Sequence, residues 1–162
     1  MIPYKADDPE DNQEAPNAVS DDYKFFNNKA YSDCVFVSND NLQLPVHRVI
    51  LLKQSDEFKK IFDAMTLKNT NLQKFESINA ETMKAVMSFC YTGNIMLNKG
   101  GLTAKILHAA SFFKLTKLKK LCVDYLINHL DTQNVLNIFG MACKEQNDVP
   151  MLEDKCLTFI IR

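Results

Sequence analysis

The chain has 162 residues, 46% hydrophobic and 24% charged, with a formal net charge of -1, which suits one domain with a real core or one domain with an appendage. No run approaches the roughly 18 apolar residues of a membrane span, and the N-terminus lacks the basic start and apolar centre of a secretory signal. Five cysteines, scattered and without CxxC spacing, argue against a disulfide framework or zinc site, so an intracellular protein with reduced core thiols is expected.

Residues 1–22 hold Asp7, Asp8, Glu10, Asp11, Glu14, Asp21 and Asp22 against Lys5 alone, leaving 18 basic and 13 acidic residues for the rest. This acidic, proline-containing start reads as a disordered leader over 1–19, with order from about Ser20. Tyr23, Phe25, Phe26 and Tyr31 follow and need a surface to pack on. Alternation of Cys34, Val35, Phe36 and Val37, the turn-formers Asn39, Asp40 and Asn41, and resumption at Leu42 and Leu44 predict a hairpin. Pro45 is expected to end the ladder and open a helix over Val46–Leu52. Ser55 caps the next helix, where Phe58, Ile61, Phe62 and Met65 form one apolar stripe.

A strand over Lys74–Ile78 then leads to a helix capped by Asn79, with Met83, Val86, Met87 and Cys90 inward and Gly93 as its stop. A short strand is expected at Ile95–Leu97. Thr103 is placed as the cap of a helix over Ala104–Phe113 with Ile106, Leu107, Ala109, Ala110 and Phe113 on its apolar side. Thr116 starts another, with Leu118, Leu121, Cys122, Tyr125 and Leu126 inward. A helical hairpin closes the chain. Its first arm runs from Thr132 to Glu145 with Val135, Ile138, Phe139 and Ala142 inward; Pro150 opens the second, with Leu152, Cys156, Phe159 and Ile160 inward. The class is α+β, mostly helical, a small mixed sheet surrounded by helices.

Chemistry-bearing patterns are absent. His47, His108 and His129 stand far apart, outside any HExxH, Cys-His or Ser-His signature, and read as structural. Four glycines and no GxGxxG or GxxxxGK[ST] leave no phosphate-cradling loop of a known type, and Gly100-Gly101 reads as a loop before a helix. Lys114, Lys117, Lys119 and Lys120 lack accompanying Arg clusters or stacking aromatics and read as a solvated helix face, not a nucleic-acid footprint. No catalytic residue, metal or cofactor is expected, and no direct contact with nucleic acid or membrane.

The order of motifs resembles the BTB (POZ) domain. The matching residues are Asp33 opening a strand, His47-Arg48, the apolar run Val49 to Leu52, Ser55 and Phe58, then Phe89-Cys90-Tyr91-Thr92-Gly93, and finally Leu107 to Leu115. Each motif is weak alone; four in order, over roughly 20–130, are specific. The resemblance implies a BTB/POZ domain at 20–130 and a helical extension at 131–162 that looks like the 3-box and first helices of a BACK region.

It further implies a homodimer in which Tyr23, Phe25, Phe26 and Tyr31 reach the partner subunit, intrachain packing being the other reading. Asp33 and Arg48 match a charged pocket near that interface; alternatively, Asp33 caps a turn and Arg48 reaches water. Many adaptors of the family bind cullin-3 through a hydrophobic-x-Glu motif after the Phe-rich helix. Here Met65-Thr66-Leu67-Lys68-Asn69 aligns with it, Leu67 at the hydrophobic place and Asn69 where the Glu is expected, with Phe112, Phe113 and Leu115 in a turn that adaptors also use. For Phe113 a core role is the stronger reading. The resulting expectation is a homodimeric cullin-3 ubiquitin-ligase substrate adaptor in the cytoplasm or nucleus. The alternative is an oligomerisation module of a transcriptional regulator or scaffold without cullin-3.

Overall fold

The computed structural model describes residues 21–98, 101–144 and 147–162. The leader expected at 1–19, and Glu145 at the end of the first hairpin arm, lie outside them.

A short 3-10 helix at Asp21–Phe25 precedes β1 (Cys34–Val37), β2 (Gln43–Val46), α1 (Arg48–Leu52), α2 (Asp56–Leu67), β3 (Leu72–Lys74) and α3 (Ala80–Thr92). Four helices follow: α4 (Leu102–Phe112), α5 (Thr116–Asn128), α6 (Val135–Ala142) and α7 (Pro150–Ile161). The sheet order is β2-β1-β3, with β1 antiparallel to β2 and parallel to β3.

The hairpin turn is built from short polar side chains. Ser38 N–H donates to Leu42 O at 3.0 Å, the Ser38 hydroxyl donates to Asp40 Oδ1 at 2.5 Å and accepts from Leu42 N–H, and Asn41 sits at φ 65°, where Asn is tolerated. Asp40 Oδ1 also accepts from Ala80 N–H at 2.8 Å, so the hairpin supplies a cap to α3 beside Asn79, whose side chain accepts from Thr82 N–H. The Ser38 hydrogen bond, chiefly, holds the Asp40 carboxyl below its ordinary value.

The phenylalanines make the centre of the core. Phe36 from β1 meets Phe75 edge-on at 4.9 Å, while Phe58 of α2 stacks on Phe113 at 4.9 Å, and all four are buried. One buried cluster runs from Cys34 in β1 through Met87 in α3 and Leu118 in α5 to Leu152 and Cys156 in α7.

Several expectations are corrected. Pro45 does not end the ladder: β2 runs to Val46, with Pro45 opposite Val35. Val35 directs its N–H to Asn71 O, on the β3 side, so no donor is required of Pro45, and β2 is an edge strand where proline is tolerated. The third strand ends at Lys74, and Phe75 and Ile78 are buried from the loop beyond it. Ile95 to Leu97 form no strand, although Ile95 and Leu97 pack against the core. Thr103 lies inside α4, where its hydroxyl donates to Asn98 O at 2.7 Å and accepts from Asn98 N–H, pinning the entry loop and not capping the helix. Leu121 and Ile160, expected inward, are exposed, because the neighbours cover a narrower stripe of α5 and α7 than periodicity alone suggests. Thr132 lies in a turn, and α6 starts at Val135.

Candidate functional site

Two surfaces carry the predicted contact residues. The first is built around His47, which is 4% exposed. Its backbone N–H donates to the Tyr91 hydroxyl at 2.9 Å; that hydroxyl donates in turn to His47 Nδ1 at 2.8 Å, and Nε2–H donates to Ala30 O at 2.8 Å. Both ring nitrogens are therefore engaged within the fold. The network clamps the N-terminal segment to α3. Phe25 packs on His47 at 5.5 Å and Phe26 on Tyr91 at 5.8 Å, so these two rings take the intrachain alternative and have at most a partial face to offer a partner. Tyr23 and Tyr31 stay outside, Tyr31 being 89% exposed and held at φ 60°. A bulky side chain rarely adopts that backbone.

Val49 and Leu52 of α1 extend this exposed apolar area. Sequence reasoning took Val49 to Leu52 as one apolar run and did not separate its faces; the signal was the i, i+3 spacing of Val49 and Leu52, opposite Ile50 and Leu51.

Within the chain the Asp33 and Arg48 side chains form no ion pair with each other. Asp33 is exposed, and its carboxylate accepts from Arg48 backbone N–H at 3.0 Å, capping α1 where the His47 side chain does not. The Arg48 guanidinium turns away over the Phe62 ring, 5.4 Å from its centroid, and donates to Thr66 Oγ1 and Asn71 Oδ1.

The second surface lies along α2. Lys60, Ile61 and Ala64 of α2, Phe75 and Glu76 after β3, and Phe112 at the end of α4 line an open groove. Leu67, one turn beyond Ala64, is 89% exposed, and Phe112 is 46% exposed. Met65 and Leu115, expected among the contacts, are corrected: Met65 has no exposed surface and Leu115 only 3%, so both are core residues of this chain. Phe113 is core, as the stronger reading held.

Asn69 has a backbone reason to be there. It sits at φ 51° just past α2, with its N–H donating to Thr66 O and Thr70 N–H to Met65 O, each at 3.0 Å. This is a Schellman closure, whose left-handed position accepts Asn readily and Glu poorly. Lys114 does the same at φ 52° after α4, with Leu115 N–H donating to Ala110 O at 2.9 Å and the Leu115 side chain tucked into the core.

Nucleophilic chemistry finds little support in these groups. Burial pushes the Cys34 thiol up to about 11 and those of Cys90 and Cys122 to about 12, leaving them protonated at neutral pH. All five cysteines are free, Cys143 alone being exposed, and among the described residues no cluster of three or more His, Cys, Asp or Glu side chains is placed to hold a metal. No described helix is long and apolar enough to cross a membrane.

The sequence profile of the BTB/POZ domain matches residues 23–130. The chain belongs to the BTB/POZ domain family. Among curated proteins, a BTB/POZ domain-containing protein of Arabidopsis thaliana is 28% identical over 76% of this chain and 44% of its own length. Kelch repeat and BTB domain-containing protein 8 of Homo sapiens is 30% identical over 59% of this chain and 16% of its own. Kelch-like protein 7 of Rattus norvegicus is 29% identical over 73% and 20%. The chain thus spans less than half the length of these relatives. Among solved structures, the BTB domain of human Gigaxonin superposes with a TM-score of 0.53 at 26% identity, covering 60% of this chain and 80% of that one. The BTB domain of zebrafish PATZ1 gives the same TM-score at 16% identity, covering 60% and 77%, and shares the fold. The BTB fold is a protein-interaction fold, which agrees with the exposed apolar side chains on these surfaces.

Proposed function

We propose that this BTB domain homodimerises through the surface around Tyr23, Tyr31, Val49 and Leu52, and serves as a cullin-3 ubiquitin-ligase substrate adaptor through the α2 groove. The observation that carries the second part is Leu67, 89% exposed at the end of α2 on the same side as the groove that Phe112 lines. Burying one such side chain against a partner contributes about 1.5 to 3 kcal/mol. In this reading α6 and α7 are the 3-box and opening of a BACK region, the site of action is the cytoplasm or nucleus, and a further segment or protein recruits the substrate.

Asn69 favours a second reading, an oligomerisation module of a transcriptional regulator or scaffold. A Glu at that place would supply a charge-assisted hydrogen bond of about 1.5 to 3 kcal/mol, against about 1 for a neutral amide, roughly a tenfold difference in affinity.

Calorimetric titration of the chain with the N-terminal domain of cullin-3, with light scattering to give the dimer fraction, separates the two. The adaptor reading expects a dimer that binds tighter than about 1 μM, near -8 kcal/mol. Leu67→Asp is expected to abolish that binding while leaving the dimer intact. A folded dimer without detectable binding makes oligomerisation the function, and undiminished affinity of Leu67→Asp removes that residue from the contact.

A further inference from the structure

We propose that a polar cavity between the first turn of α3, α4 and the segment after α6 binds a phosphate monoester. The cavity measures about 360 Å³, at the lower end of the volumes typical of small-ligand sites. It shares only Ser77 with the lining of the α2 groove.

Its lining is one-sided in charge. Lys105 and His108, one turn apart on α4, face it with Lys144, and among the described residues no carboxylate lines it. Among the described residues neither lysine has an ion-pair partner. Two fully buried polar side chains add to this. Thr82, 2% exposed, has a hydroxyl with no hydrogen-bond partner, and Asn147, 0% exposed, donates from Nδ2 to Met141 O at 2.7 Å, which fixes its amide and leaves Oδ1 unpartnered. Buried polar atoms are ordinarily satisfied, and two orphans on the wall of one cavity mark what it is shaped to receive.

Four groups, Lys105, Lys144, His108 and the Thr82 hydroxyl, are available as donors. A phosphate monoester brings three strong acceptor oxygens on one centre, against two for a carboxylate. The carboxylate position at this end of α3 is already filled by Asp40 on Ala80 N–H. Asn147 Oδ1 is an acceptor and would repel a bare anion, so the ligand must carry an N–H or O–H donor beside its phosphate. A phosphorylated serine in a peptide has that donor in its amide; a small phosphorylated polyol has it in a hydroxyl.

The test is titration of the whole chain with N-acetyl-O-phosphoserine methylamide and with glycerol 3-phosphate, followed by calorimetry. Saturable binding of either is expected, weakened about tenfold or more by the double variant Lys105→Ala, Lys144→Ala at an unchanged melting temperature. The tighter of the two probes identifies a peptide or a small-molecule source. Thr82→Val gives an independent reading: removing an unsatisfied buried hydroxyl is expected to leave the free protein's melting temperature equal or higher while weakening binding. Absence of saturable binding by both probes, or binding untouched by the lysine replacements, overturns the site. So does a Thr82→Val chain that melts lower with unaltered affinity.

Discussion

At the residue scale, two left-handed positions hold the contact surface in shape. Asn69 and Lys114 each end a helix at positive φ, yet only Asn adopts that backbone without much penalty. Lys114→Gly is therefore expected to stabilise the protein by about 0.5 to 1 kcal/mol, the relieved strain exceeding both the glycine's added chain entropy and the loss of a solvent-facing ion pair. That pair is Lys114 Nζ with Glu57 Oε2 at 3.6 Å. Asn69→Glu, which restores the acid of the adaptor motif, is expected to cost about 1 kcal/mol of stability through its backbone alone. Denaturant midpoints at constant slope check both, and a Lys114→Gly chain that unfolds earlier than the parent contradicts the strain argument. Sequence analysis reads Asn69 as a departure from the motif; that it also closes a helix depends on where α2 stops, which periodicity leaves uncertain by a residue or two.

Among the elements, one hydroxyl adds two hydrogen bonds to the ring packing that joins the N-terminal segment, α1 and α3. Tyr91→Phe removes the partner of both the His47 N–H and Nδ1, buried groups that water does not reach. The expected loss is about 2 kcal/mol or more, with earlier proteolysis in the segment carrying Tyr23 and Tyr31. A melting temperature within experimental error of the parent would show that His47 finds another partner. Sequence analysis placed His47 and Tyr91 in two separate motifs and assigned the histidine a structural role, but a pair 44 residues apart has no local signature. The helices were legible because apolar stripes at 3.6-residue spacing and the caps Ser55 and Asn79 report on local backbone alone. The strands were less so: Pro45 was misplaced because its tolerance depends on being at the sheet's edge, which β1 and β3 decide.

Over the whole molecule, α6 and α7 share the buried cluster of the BTB domain, with Val135, Ile138, Ala142, Leu152 and Cys156 all inside it. Leu152, fully buried, links the hairpin to that cluster. Leu152→Ala is expected to destabilise the chain by about 2 to 5 kcal/mol within a single unfolding transition. Two resolved calorimetric transitions would instead make the hairpin a separately folding unit. The shared core also sets the cavity of Thr82, Lys105 and Asn147 on the seam between the two parts, where the hairpin supplies Met141, Lys144 and Asn147 and the BTB domain the rest of the lining.

Local physics determined what the sequence could announce: helix stripes, caps, the hairpin turn, the absence of catalytic motifs, and a motif order specific enough to name the family. The tertiary structure decided how completely each apolar residue is covered. Leu67 and Met65 lie two residues apart on one helix, one 89% exposed and the other fully buried. Their hydrophobicity is nearly the same, and what separates them is that Cys34 and Phe36 of β1 lie on the buried side of α2 while Leu67 faces solvent, a difference created by chain segments distant in sequence.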